Sequence, residues 1–126
     1  MKRDADHPIP DPDELVPLSA PVFHILASLS DSEAHGYGII ADIRSRTHGE
    51  VHLSTSTLYG AIKRMLRDRL IEESEMRPAP ELDDQRRRYY RISAFGRRVL
   101  TLEARRIERL AKIVRAKRLL SNRVTE

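Results

Sequence analysis

The sequence predicts a mainly α fold with one small β-hairpin, closed by a long C-terminal helix. Three observations predict it. Apolar stripes recur at helical spacing three times between Ser19 and Leu66; two short β-prone runs flank a proline-containing polar turn; and an a/d rhythm runs on from Leu100. At 126 residues the chain can build one modest core, but not the two-lobed cleft of most cofactor enzymes. With two Phe, four Tyr and no Trp, that core must be aliphatic. No cysteine is present, which excludes disulfides, thiol catalysis and cysteine-held zinc. No apolar run nears the roughly 18 residues that cross a bilayer, and the start of the chain carries no signal-peptide core. The expected compartment is therefore the cytoplasm, away from any membrane.

Each element follows from its residues. Residues 1–16 hold three prolines and five acidic groups without apolar periodicity, which predicts a flexible acidic arm, ordered only if it packs on something. A first helix opens at Ser19, a capping residue, with Pro21 in its first turn; Val22, Phe23, Leu26 and Leu29 form its apolar face. Asp31-Ser32-Glu33 interrupts the pattern. The second helix begins near Gly36, with Tyr37, Ile40 and Ile43 inward, Ile39 beside them, Arg44 and Arg46 outward and Gly49 as its stop. Val51-His52-Leu53 reads as a single strand or an extended linker. Ser54-Thr55-Ser56-Thr57 supplies caps for a third helix, whose core stripe is Leu58, Ile62, Met65 and Leu66. Its other face carries Tyr59, Lys63, Arg64 and Arg67. A strand over 72–76, a polar turn over 77–86 and a returning strand over 87–92 make the hairpin. In strand alternation Arg88, Tyr90 and Ile92 share one face, while Arg87, Tyr89 and Arg91 share the other. Ser93 caps the last helix, expected to run to about Leu120, or about 40 Å. Leu100, Ala104, Ile107, Ala111 and Val114 repeat at the a/d rhythm of a helix–helix seam, widened by Leu110 and Ile113. So long a helix cannot bury its seam on so small a domain, so a second copy of the chain is the expected partner. The competing arrangement folds the helix back on its own domain.

Charge is unevenly placed. Residues 1–85 carry 9 Lys+Arg against 16 Asp+Glu, whereas residues 86–126 carry 14 against 3, within a formal total of +4. A block this basic attracts a polyanion or an acidic partner surface. Three helices followed by a hairpin is the winged helix-turn-helix plan, in which the third helix enters the major groove and the hairpin reaches over neighbouring phosphates. On that plan Ser54, Ser56, Thr57 and Tyr59 can donate to phosphate oxygens or base edges, and Lys63 and Arg64 can neutralise phosphates. Arg86, Arg87 and Arg88 open the returning strand, where they can reach DNA or serve as a solvated strand edge. The domains read as an arm over 1–16, a winged domain over 17–92, and a dimerisation helix with its tail over 93–126.

Three segments carry a resemblance. His35-Gly36-Tyr37-Gly38-Ile39, Ser56-Thr57-Leu58-Tyr59 and Arg87-Arg88-Tyr89-Tyr90-Arg91-Ile92-Ser93-Ala94-Phe95-Gly96 closely resemble the PadR-like transcriptional regulators, over about Leu18 to Leu120. The resemblance implies a winged-helix DNA-binding domain with a C-terminal dimerisation helix, in a family composed mostly of repressors. It implies that Tyr59 and nearby hydroxyls touch DNA, and that Arg87 and Arg88 belong to the wing. Tyr37 would lie near the phosphate backbone or brace the third helix. The motif order and the heptad seam together predict a homodimer, paired through the last helices, on a pseudo-palindromic operator. A small-molecule effector would act between the last helix and the winged domain, although no polar constellation in the sequence names it. Many relatives carry proline where this chain has Gly60, which predicts a softer turn or a close backbone approach. Glu81, Asp83 and Asp84 make the wing turn acidic, so its tip is expected to point away from phosphates.

Enzymatic readings find no support. There is no nucleophile–base pair and no Gly-rich phosphate loop, so no catalytic residue, cofactor or metal is expected. His48 and His52 are four apart, but Gly49 lies between them at a helix end. His24 reads as a structural residue of the first helix, and His35 as a cap or packing residue of the second. The alternative function is a winged-helix protein-interaction or non-specific architectural module, since fold alone does not fix function.

Overall fold

A computed structural model describes residues 8–74 and 88–120. Helix α1 (Ala20–Leu29) starts where the Ser19 hydroxyl accepts the Val22 amide, with Pro21 in the first turn. It buries Ile25, Leu26 and Leu29 and packs against every other long helix. A two-residue strand β1 (Ala34–His35) follows, which the sequence reading did not contain. Two residues carry no periodicity of their own, and only pairing with a distant strand makes them β.

Helix α2 (Gly36–Arg46) is capped by His35, whose Nδ1 accepts the Gly38 amide at 3.0 Å. Its core residues are Ile39 and Ile43 rather than Tyr37, which is 48% exposed. Tyr37 and Ile39 lie roughly 200° apart around a helix and cannot both face inward. The Gly49 amide returns to the Arg44 carbonyl at 2.8 Å with φ +83°, a left-handed turn that closes the helix as expected. Residues 51–53 are an extended linker without strand pairing, and Leu53 is buried.

Helix α3 (Thr55–Arg67) is capped by Ser54, whose hydroxyl accepts the Thr57 amide at 3.1 Å. It buries Leu58, Ala61, Ile62 and Met65, while Leu66 is only half-buried. The helix continues unbroken through Gly60, where a side chain would meet nothing closer than Arg64 Nη1 at 3.8 Å. Among the described residues no backbone approaches Gly60 closely, which corrects that part of the expectation.

Strands β2 (Ile71–Glu73) and β3 (Tyr89–Ile92) pair antiparallel, with Ile71 opposite Ile92 and Glu73 opposite Tyr90. The sheet order is β1-β3-β2, with Ala34 opposite Tyr90 and His35 opposite Tyr89. β2 starts earlier than expected because buried Leu70 and Ile71 anchor it to the core. The wing turn, including Arg86, Arg87, Glu81, Asp83 and Asp84, lies outside the described residues.

Ser93 joins the sheet to helix α4 (Ala94–Ala116): its hydroxyl accepts the Gly96 amide at 2.9 Å and donates to the Arg69 and Leu70 carbonyls. Gly96 is required by space, since a Cβ there would lie 2.9 Å from the Leu70 carbonyl carbon and closer still to its oxygen. The helix ends four residues before the expected Leu120. It buries Phe95, Gly96, Val99 and Glu103, all in its first half.

The expected flexible arm is docked from Pro12 onward. Pro12–Leu15 form a 3-10 turn against α4, and Leu15, Val16 and Leu18 pack on the core. The Leu18 amide donates to Glu103 Oε2 at 3.0 Å, and Arg106 grips both Glu103 oxygens at 2.7 and 3.1 Å. The acidic composition of residues 1–16 hides Leu15 and Val16 and says nothing of the acceptor on α4.

Candidate nucleic-acid interface

The α3 stripe that packs inward dictates what its opposite face presents. With Leu58, Ile62 and Met65 buried, Ser56, Gly60, Lys63 and Arg67 recur along the centre of the outer face. Thr57 and Arg64 flank them on one side. Ser54, Ser56 and Thr57 are exposed and joined: the Ser54 hydroxyl donates to Thr57 Oγ1 at 3.0 Å and lies 3.3 Å from Ser56 Oγ. The helix start, with its partial positive charge and first-turn amides, thus opens to solvent beside three hydroxyls. Lys63 and Arg64 are exposed and have no carboxylate partner among the described residues. Arg67 shares their face but reaches Asp68 at 3.4 Å. Gly60 and Arg67 were not among the sequence-derived contacts, although the four-three-four spacing from Ser56 already places them.

Two other expected contacts stand differently. Tyr37 projects from the first turn of α2 and is exposed, while Tyr59 is half-buried, with its phenol over Gly36. On the wing, Arg88 Nη1 reaches Glu73 at 3.0 Å and Arg91 Nε reaches Glu72 at 3.1 Å, both across the β2–β3 ladder. Exposed pairs of this kind contribute little, so a phosphate can replace either carboxylate. Arg46 is shared between Asp31 and Asp42 at 2.9 and 2.8 Å. Inside the sheet, burial pushes the Tyr90 hydroxyl above its ordinary pKa.

The α4 seam divides in two. Leu100 packs against the core, but beyond Glu103 the apolar side chains are largely open among the described residues: Ile107, Leu110 and Ile113 are 40%, 46% and 55% exposed. Ala104 is also exposed, and Ala111 and Val114 are half-exposed. A groove of about 460 Å³ runs between Pro12 and α4, lined by Arg97, Arg98, Thr101, Leu102 and Arg105. Among the described residues no group of three potential metal ligands comes together, and no helix is long and apolar enough to cross a membrane.

Glu103 is a buried residue that the sequence reading missed. It is 2% exposed, and the Arg106 guanidinium, aided by the Leu18 amide, holds its carboxyl below the usual range against the opposing effect of burial. The available signal was a lone acid beside the apolar stripe of an arginine-rich helix.

Comparison with known proteins gives consistent matches. The model of the transcriptional regulator PadR-like family matches residues 25–102. Transcriptional regulator Rv3488 of Mycobacterium tuberculosis is 38% identical over 91 residues, 72% of this chain and 78% of that protein. The crystal structure of a PadR family transcription regulator from Clostridium difficile R20291 superposes with a TM-score of 0.64 at 24% identity, covering 78% of this chain and 97% of the other. Bacillus subtilis PadR in complex with operator DNA superposes at 0.58 with 19% identity, over 68% of this chain and 46% of that one.

Proposed function

Because this chain belongs to the PadR-like family of transcriptional regulators, we propose that it is a homodimeric repressor that recognises a pseudo-palindromic operator through α3. The observation that carries this reading is the outer face of α3: a solvent-open, Ser54-capped start, exposed Ser56 and Thr57, and Lys63 and Arg64 with no described carboxylate partner. Hydroxyls can read base edges or bind phosphate, and the cations neutralise the backbone. Tyr37, exposed on the first turn of α2, adds a phenol, and Arg88, with Arg86 and Arg87 before it in sequence, supplies wing cations. Solved relatives share the fold, and one of them is bound to operator DNA.

The second half of α4 supports the dimer. Two copies pairing along Ile107, Leu110, Ala111 and Val114 would remove the exposed apolar surface from water and present two α3 helices to successive major grooves, about 34 Å apart. The arginine-lined groove beside Pro12 offers an anionic effector a place against α4. A dimer bound over a promoter blocks polymerase, and the chain acts from the cytoplasm by binding DNA rather than by catalysis.

Selection of bound fragments from genomic DNA, followed by titration at several salt concentrations, tests the reading. A repressor shows a steep loss of affinity with salt and prefers one sequence over bulk DNA by about 1000-fold or more. Binding without preference would instead make it an architectural or protein-docking module.

A further inference from the structure

Gly36 is the first residue of α2 and is buried, yet its backbone is not in the left-handed region that favours glycine. What a side chain there would meet is the far end of the Tyr59 side chain, which would have to move aside. A Cβ on Gly36 would lie 2.8 Å from Tyr59 Cζ and 3.1 Å from Leu58 Cδ2, with the Tyr59 hydroxyl closer still. The phenol of Tyr59, on the second turn of α3, therefore lies across the start of α2. The adjacent His35 ties the same point to two more elements. It caps α2 through Gly38, pairs with Tyr89 of β3, and stacks on that ring edge-on at 5.3 Å and 83°. Cap, wing strand and α3 thus meet within two consecutive residues.

We infer that Tyr59 is a positioning residue rather than a DNA contact: its ring, seated on Gly36, sets how α3 stands against α2 and the wing strand. This inference rests on the DNA-binding reading above and departs from the expectation that the Tyr59 hydroxyl touches DNA. Tyr59 borders the outer face that carries Ser56 and Lys63, so moving the ring off Gly36 rotates or tilts those residues. Base-edge hydrogen bonds tolerate little displacement, whereas attraction to phosphates is sequence-independent and less sensitive to angle. The contact therefore governs preference for the operator more than affinity for DNA in general.

The test measures affinity of the full-length protein for its selected operator and for random duplex, across salt, with folding checked by circular dichroism. Gly36→Ala is expected to weaken operator binding by about tenfold or more while random-duplex affinity and salt slope stay unchanged. With Tyr59→Leu already in place, adding Gly36→Ala should change operator affinity by no more than about twofold, because the new methyl enters space the ring has left. Tyr59→Phe, which keeps the ring, should stay within about twofold of wild type, whereas Tyr59→Leu should lose operator preference. Equal cost of Gly36→Ala in both backgrounds, or a Phe variant as impaired as the Leu variant, would overturn the inference; the latter would give the role to the hydroxyl rather than to the ring. If Gly36→Ala does not fold, the Phe and Leu variants decide. A wild-type protein indifferent to sequence removes the DNA-binding reading and this inference together, whereas wild-type preference with unaffected variants removes only the inference.

Discussion

Glu103→Gln probes the joint between the N-terminal segment and α4. The carboxylate accepts three hydrogen bonds, one from the Leu18 amide at 3.0 Å and two from Arg106 at 2.7 and 3.1 Å, while 2% exposed. Glutamine keeps the size but loses the charge, and its amide nitrogen turns a donor toward donors. Hydrogen bonds to a charged group contribute about 1.5–3 kcal/mol, and Arg106 is partly exposed and screened, so the expected net loss is about 1–3 kcal/mol. The sign with pH follows from the direction of the shift. Arg106 holds the Glu103 carboxyl below its ordinary 4.5, so its contribution is complete above that value and is lost as pH falls through the lower folded pKa. Urea denaturation at fixed protein concentration should show the full gap between wild type and variant at pH 7, narrowing once pH drops below the ordinary carboxylate range. Equal stability at pH 7, or a gap that stays constant into acid, would refute the reasoning.

If two copies pair through α4 as proposed, Ile107→Glu should dissociate them in analytical ultracentrifugation, because it would bury a charge between them; a variant that still sediments as a dimer would refute that pairing. Gly60→Ala should raise folding stability by about 0.5–1 kcal/mol in denaturant titration, since α3 is regular there and no atom obstructs the methyl. Lys63→Ala should weaken binding to all duplexes alike and lower the salt slope by about one ion, read from affinity against salt concentration.

Much of the fold and part of the interface could be read from neighbouring residues. Ser19, Ser54 and Ser93 each cap a helix three residues or fewer from the amide they accept, and local spacing is enough to find such pairs. The outer face of α3 followed from its inner stripe for the same reason, and so did the apolar run along the second half of α4, exposed among the described residues. Tyr37 was misplaced because two apolar phases were open to α2, and packing on α1 chose Ile39 and Ile43.

What the sequence could not convey are contacts between residues far apart along it. β1 exists because His35 meets Tyr89, the N-terminal segment docks because Leu18 meets Glu103 across 85 residues, and Tyr59 turns inward because Gly36 leaves it room. Helical periodicity and capping are short-range geometry, fixed by backbone pitch and by hydroxyls within one turn. Each of these three contacts depends on chain closure, which brings together groups whose separation no local pattern encodes.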